Sequence, residues 1–173
     1  ALGHSKTIYN IFEPLVDFVR SIPVIALFPL FLLFFSIGDP SKIAMVAFTS
    51  GLVITLNTMY GVHHSNKTRS LLAKTLGASQ FMIIRKVEFF EALPYIFTGF
   101  RLAISFSLVV VIFTEMLLAF TDYGLGLRIY DAYQVRNVSE MYALIVLSGL
   151  VGYIFNVGMK TMEKRVVHWT GKS

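Results

Sequence analysis

Four long apolar runs constrain this chain more than any other feature. A helix needs about 20 residues to cross the ~30 Å hydrocarbon core of a bilayer. Residues 43–62 and 141–159 meet that length without a charged residue, and residues 22–37 are also uncharged but shorter. Residues 94–121 are longer than needed and contain two ionisable residues, Arg101 and Glu115. The pattern predicts an all-α, polytopic transmembrane helical bundle.

The composition supports a membrane location. Hydrophobic residues make up 55% of the chain and charged residues 14%, and the mean hydropathy is +0.69. A soluble domain of this size typically has ~45–50% apolar and ~25% charged residues. The chain contains no cysteine. A disulfide framework, a thiolate metal site and a cysteine nucleophile are therefore excluded.

A turn signal joins the first two runs into a transmembrane hairpin. Residues 38–40, Gly-Asp-Pro, are expected to end one helix, and Ser41 is expected to cap the next. The first run contains Pro23 and Pro29 and is expected to be extended by a tilted or interfacial segment before it.

The distribution of Lys and Arg predicts the orientation. Three basic residues fall on one side of the predicted membrane: Lys42, Arg128 and Arg136. Eleven fall on the other side: Lys6, Arg20, Lys67, Arg69, Lys74, Arg85, Lys86, Lys160, Lys164, Arg165 and Lys172. The positive-inside rule places the richer side in the cytoplasm. The net charge of +5 is then explained by orientation, and nucleic acid is not an expected partner.

These patterns divide the chain into seven segments. The boundaries place one structured loop between two spans, on the predicted cytoplasmic side. The segments are 1–21, a cytoplasmic lead-in; 22–62, a transmembrane hairpin; 63–93, a cytoplasmic loop; 94–121, a transmembrane helix; 122–140, an external loop; 141–159, a transmembrane helix; and 160–173, a cytoplasmic tail.

The loop over 63–93 has the pattern of two short amphipathic helices. Thr68 is a possible N-cap for the first, and Gly77 can adopt φ > 0 and end it. Ser79 can cap the second. Apolar positions recur at helical spacing, at Leu71, Leu72, Leu76, Phe81, Ile83, Ile84 and Val87. Periodicity alone leaves two interpretations open: a loop that docks on a partner, or an interfacial helix that lies on anionic lipid headgroups.

Two ionisable residues in one span need an explanation, because placing a charged side chain in the hydrocarbon core of a membrane costs free energy. Arg101 and Glu115 are fourteen residues apart, which places them about 40° apart around the helix and about 21 Å apart along it. They cannot pair with each other. They either line a solute pathway or make structural ion pairs with neighbouring helices.

Other candidate sites are weak. His63 and His64 are adjacent, so on a helix they point about 100° apart and cannot hold one metal from one face. Gly124 and Gly126 lack the strand and helix setting of a dinucleotide site, and they indicate a turn or re-entrant element. The sequence has no phosphate-binding GxxxxGK[ST] motif, so ATP binding by that route is excluded. No cofactor or metal is expected.

The loop resembles that of the permease subunits of ABC importers. Their consensus reads Glu-Ala-Ala, three residues, Gly, nine residues, then Ile-x-Leu-Pro. In this chain the Glu-Ala-Ala positions hold Leu71, Leu72 and Ala73. The Gly position holds Gly77, and the Ile position holds Val87. The nitrate, sulfonate, taurine and bicarbonate branch is more similar still. Its recurring elements match residues 75–79 (TLGAS), 92–103 (ALPYIFTGFRLA), 115–116 (EM) and 124–126 (GLG), and the run over 13–44 is also similar.

This chain departs from the pattern at several points. Leu71 replaces the acidic residue of the motif, and Phe89-Phe90 replaces its Leu-Pro, although Leu93-Pro94 follows. Such permeases carry six spanning helices, and this chain begins at a point that matches the end of the second. The resemblance therefore implies a type I importer permease fold without its first two helices.

The resemblance implies a function and a set of partners. The chain would be the permease subunit of a bacterial inner-membrane importer for a small anion, working with a second permease copy, a cytoplasmic ATPase, an external solute-binding protein and membrane lipid. ATP hydrolysis would take place in the separate ATPase. The residues implied for ATPase docking are Leu71, Leu72, Ala73, Leu76, Gly77, Ala78, Ser79 and Phe81. The alternatives are a truncated, non-transporting scaffold, or import of a thiamine-precursor pyrimidine.

Overall fold

The computed structural model describes residues 6–117 and 123–169, which are almost entirely helical. The fold class predicted from the sequence is confirmed. The elements in chain order are α1 (Lys6–Ser21), a 3₁₀ turn (Val24–Leu27), α2 (Phe28–Phe35), α3 (Asp39–His63), α4 (Lys67–Thr75), α5 (Gln80–Ile83), a π-helical segment (Ile84–Glu88), α6 (Phe89–Leu117), α7 (Leu125–Gln134) and α8 (Val138–Val166).

Within the described residues, three stretches of helix are long and apolar enough to cross a membrane. They are α3, the continuous helix Gln80–Leu117 that joins α5, the π segment and α6, and α8. The first apolar run differs from a single straight span. Its two parts, Glu13–Ser21 and Val24–Phe35, meet at a bend of 78°. Pro23 lies at the bend, where its missing N–H and fixed φ prevent a helix from continuing.

Helices α3 and α6 form the centre of the fold and run antiparallel. They approach closely because small residues occupy their contact. Gly61 lies against Tyr95, and Gly99 lies against Asn57. Ser50 and Ser107 share a hydrogen bond of 2.8 Å across the same interface. Small side chains and interhelical hydroxyl hydrogen bonds are a common basis for helix packing within a bilayer, where the hydrophobic effect offers no driving force between helices.

Two predicted helix caps are wrong. Helix α3 begins earlier than expected, with Gly38 as its N-cap, and Ser41 lies inside the first turn and donates its hydroxyl to the Gly38 carbonyl at 2.8 Å. Helix α4 is capped by Asn66, whose side chain accepts from the backbone N–H of Thr68 at 3.0 Å. Asn66 and Thr68 are both good N-cap residues, so the sequence alone did not decide between them, and Gly38 caps α3 without a side-chain hydrogen bond.

The loop and the third predicted span are not separated by a break. The helix that begins at Gln80 passes through the π segment and Pro94 and ends at Leu117. The Thr98 hydroxyl donates to the carbonyl of Pro94 at 3.0 Å, one turn away. The helix that starts in the loop therefore continues into the membrane-spanning part.

Candidate functional site

The turn after α4 is built around Gly77. Its φ is +82°, a conformation that L-residues with a side chain rarely adopt. The Gly77 N–H donates to the Lys74 carbonyl at 3.0 Å, and the Ala78 N–H donates to the Ala73 carbonyl at 3.0 Å. These two hydrogen bonds form a Schellman motif, which ends α4 and satisfies its last carbonyls.

Ser79 starts the next helix, as its position in the sequence predicts. Its side-chain oxygen accepts from the backbone N–H of Met82 at 3.3 Å. Only four residues, Gly77 among them, separate the end of α4 from the start of α5. The two helices are therefore held at a fixed angle by local hydrogen bonds rather than by packing around the glycine.

The surface of this turn is apolar and open. Leu71, Leu72, Leu76 and Phe81 are 63%, 62%, 80% and 72% exposed. Ala73 and Ala78 are partly covered, and Gly77 and Ser79 are exposed. A soluble surface rarely carries so many large apolar side chains together unless a partner or a membrane covers them. We call Leu71, Leu72, Leu76 and Phe81 the loop knob.

An ion pair that the sequence patterns did not indicate ties this loop to α6. Arg69 Nη1 lies 3.1 Å from Glu91 Oε1. The other carboxylate oxygen of Glu91 accepts a hydrogen bond from the backbone N–H of Asn66. Glu91 thus binds both the N-cap and the first turn of α4. Its spacing of 22 residues from Arg69 carries no periodic signal, so only the tertiary fold brings the pair together.

Arg101 and Glu115 have separate partners, as their distance along the helix requires. Arg101 Nη1 lies 3.4 Å from Glu163 Oε2 on α8, with both side chains partly buried. Arg101 also donates to the Thr98 hydroxyl at 3.4 Å. A cross-helix ion pair lowers the cost of placing the guanidinium within the span.

Glu115 is buried, and its carboxylate is hydrogen-bonded to the first turn of α7. Its Oε2 accepts from the backbone N–H of Gly126 at 2.8 Å. The side chain is also in contact with Gly124, which precedes α7 and has φ +138°. Only glycine fits at these two positions, because a Cβ added at either one would lie less than 3.0 Å from the Glu115 side chain. The GLG sequence is therefore the start of a short helix packed on α6.

A second polar cluster lies at the same end of the fold. Lys42 Nζ is 2.7 Å from Asp39 Oδ1 and 5.2 Å from the ring centroid of Tyr123. The Tyr123 hydroxyl donates to the Asp39 carboxylate. This hydrogen bond raises the pKa of the Tyr123 phenol above its usual value, because an ionised phenol could not donate to a carboxylate. The cluster joins the start of α3 to the segment before α7.

The two adjacent histidines lie at the end of α3. His63 is the last residue of α3, and His64 follows it with Nδ1 2.9 Å from the Tyr60 carbonyl. Over residues 6–117 and 123–169, no group of three or more His, Cys, Asp and Glu side chains is arranged to hold a metal ion.

The geometry defines a class: a multi-pass helical membrane protein with a rigid, apolar loop continuous with one of its spans. The binding-protein-dependent transport system inner membrane component family model matches residues 1–168. The chain belongs to this family, and the family expected from the loop motif is confirmed. It is a multi-pass protein of the inner membrane.

Several curated proteins are similar to this chain. The taurine transport system permease protein TauC of Escherichia coli (strain K12) is 26% identical over 99% of the chain and 62% of its own length. The nitrate import permease protein NrtB of Leptolyngbya laminosa is 31% identical over 96% and 59%. The bicarbonate transport system permease protein CmpB of Synechococcus elongatus is 32% identical over 90% and 55%. The chain therefore spans about three-fifths of the length of these relatives.

A solved structure shows the same fold. Inward-facing conformations of the MetNI methionine ABC transporter include a chain that superposes with a TM-score of 0.79. The sequence identity is 22%, and the match covers 94% of this chain and 77% of that one. At this identity the likeness concerns the fold alone.

Proposed function

We propose that this chain is the permease subunit of an ATP-driven importer, and that the loop knob docks on a cytoplasmic ATPase. The observation that carries the proposal is that the loop knob is exposed although local hydrogen bonds hold the turn that bears it. Leu76 is 80% exposed although it lies beside a turn fixed by three local hydrogen bonds. Ordered apolar residues that remain exposed are the usual sign of a partner surface.

The loop is suited to act as a lever. Its first helix is tied to α6 through Arg69 and Glu91, and its second helix continues into α6 without a break. Movement of an ATPase pair on hydrolysis would displace the loop as a rigid body. The spans would then move between two arrangements by rigid-body rotation, a common form of switching.

The names of the relatives support a substrate class for this proposal. Proteins named for taurine, nitrate, bicarbonate and aliphatic sulfonates match nearly the whole chain. We infer a small anion of this group, delivered by an external solute-binding protein to a pathway formed by two permease copies. Import of a thiamine-precursor pyrimidine is the alternative substrate, and a non-transporting scaffold is the alternative function.

Reconstitution tests this proposal. Proteoliposomes containing the permease complex, its ATPase and its binding protein are supplied with taurine, an alkanesulfonate, nitrate, bicarbonate or a pyrimidine. We expect one of the four anions to stimulate ATP hydrolysis and to accumulate inside. Stimulation by the pyrimidine alone would correct the substrate class. An assembled complex that no loaded binding protein stimulates would instead support the scaffold.

Labelling tests the orientation, which rests on the asymmetry of basic residues. The chain has no cysteine, so single cysteines can be introduced without background. A cysteine at Ser65, between α3 and α4, should be protected from an impermeant thiol reagent in intact cells. One at Val135, which is 73% exposed after α7, should react. Reaction at Ser65 together with protection at Val135 would reverse the orientation.

A further inference from the structure

A cavity of about 440 Å³ lies behind the loop, between the end of α3, one face of α4 and the helix that starts at α5. It is distinct from the loop knob, although Leu71 contributes to both. The cavity sits where two apolar spans end, which is the level of lipid headgroups if the spans cross a membrane. Its polar lining consists of His63, Ser65, Lys67, Ser70, Lys74, Gln80 and Glu88.

Ser70 supplies a hydroxyl with unused hydrogen-bonding capacity. Its Oγ is buried and has no hydrogen-bond partner within the part of the chain that the structure describes. Buried polar atoms are nearly always paired, so such an exception needs an explanation. Ser70 lines the cavity, and a ligand there would provide the missing partner.

Two lysines flank this hydroxyl on the same helix. Lys67 and Lys74 lie three residues before and four residues after Ser70, so all three share one face of α4. Neither lysine makes an ion pair within residues 6–117 and 123–169, whereas Arg69 on the same helix is bound to Glu91. The exposed lysine side chains can therefore turn to an anion without losing another partner.

The charges of the lining favour an anion of low charge. Glu88 is only 6% exposed, in contrast to the lysines at the surface. Counted by formal charges, two lysines and one glutamate leave the lining with one excess positive charge, apart from His63. A lipid phosphodiester carries one negative charge, and the apolar side chains of Val62, Leu71 and Ile83 also line the cavity. Basic pockets between spanning helices are known sites for phospholipid headgroups.

We propose that this cavity binds a phosphate group, supplied either by the headgroup of an anionic phospholipid or by free phosphate. Lys67 and Lys74 pair with its oxygens, and the Ser70 hydroxyl donates to one of them. The bound group would join α4 to the ends of the two spans and so stiffen the loop. Binding is independent of the proposed function, while an effect on ATPase coupling would rest on it.

Retention of lipid tests the proposal. The permease is purified in nanodiscs containing phosphatidylglycerol and phosphatidylcholine, extracted, and analysed by native mass spectrometry. The double variant Lys67→Gln/Lys74→Gln is compared with Lys86→Gln, an exposed lysine outside the cavity. A lysine near an anionic headgroup changes affinity about fivefold. We expect phosphatidylglycerol retention to fall about 25-fold in the double variant and to be unchanged in Lys86→Gln.

A second arm separates the two phosphate sources. Inorganic phosphate is added to delipidated protein, and thermal unfolding is followed for the wild type, the double variant and Ser70→Ala. A phosphate-dependent rise in unfolding temperature in the wild type alone supports the site with free phosphate as its ligand. Lipid retention without that rise supports the headgroup. Equal lipid retention in the double variant and Lys86→Gln, with no phosphate-dependent rise, would overturn the proposal.

These variants separate binding from folding. Lys67 and Lys74 are exposed, and the Ser70 hydroxyl makes no hydrogen bond that the alanine would remove. Each variant should therefore unfold at the wild-type temperature when neither phosphate nor anionic lipid is present. A variant that unfolds earlier without ligand would show that its side chain serves the fold, which would overturn the assignment of that residue to the site.

Discussion

Gly77→Ile is expected to abolish coupling between the permease and its ATPase while leaving membrane insertion intact. The position has φ +82°, which a β-branched residue adopts only at a cost of about 1–3 kcal/mol. Apart from its chain neighbours, no described atom lies within 4 Å of a Cβ added at Gly77, so the main effect is on the backbone conformation. Relief of the strain would break the Schellman hydrogen bonds and change the angle between α4 and α5.

A matched variant distinguishes strain from the mere presence of a side chain. Asn tolerates positive φ far better than isoleucine does, so Gly77→Asn should retain most of the coupling. The measurement is substrate-stimulated ATP hydrolysis in proteoliposomes that contain all subunits. Equal stimulation in wild type, Gly77→Asn and Gly77→Ile would show that the loop geometry does not matter for coupling, as the interfacial-helix interpretation requires.

Gly126→Ala is expected to be the most destabilising single-methyl substitution among the described glycines. An added Cβ would lie 2.1 Å from the carbonyl oxygen of Ile112 and 2.8 Å from the Cβ of Glu115. A backbone oxygen cannot move aside as a flexible side chain can, so α7 would have to shift away from α6. The shift would lengthen the hydrogen bond from the Gly126 N–H to the buried Glu115.

The expected cost is about 2–5 kcal/mol, from overpacking and from a buried carboxylate that loses its donor. Gly149→Ala is the matched control, because Gly149 lies in α8 with no atom within 4 Å of an added Cβ. Alanine there should leave stability unchanged or raise it by up to about 1 kcal/mol. Thermal unfolding in detergent measures both, and a Gly126→Ala variant as stable as Gly149→Ala would contradict the packing of α7 on α6.

Local patterns predicted the parts of this structure that local forces determine. The length and apolarity of residues 43–62 indicated α3, and the positions of Gly77 and Ser79 indicated a helix end followed by a helix start. Each of these features depends on residues within one or two turns. The family was predicted because its motif lies in such a segment.

Long-range features could not be predicted in the same way. The Arg69–Glu91 ion pair and the Tyr123–Asp39 hydrogen bond join residues 22 and 84 positions apart. The angle of the bend near Pro23 could not be predicted either, because a proline indicates where a helix breaks but does not determine the angle between its two parts. The role of the GLG sequence also depended on tertiary structure, because only the positions of Ile112 and Glu115 explain why glycines are required there.

Photo-crosslinking from Leu76 tests the central claim most directly, because this residue is the most exposed member of the loop knob. A photoreactive amino acid is placed at Leu76 and, as a control, at Leu147 on α8, which is also exposed and apolar. The complex is irradiated in its membrane, and the adducts are identified by mass. If the loop docks on the ATPase, Leu76 will give an adduct with the ATPase subunit and Leu147 will not. Adducts of Leu76 with lipid alone, in a membrane that contains the ATPase, would contradict the docking role.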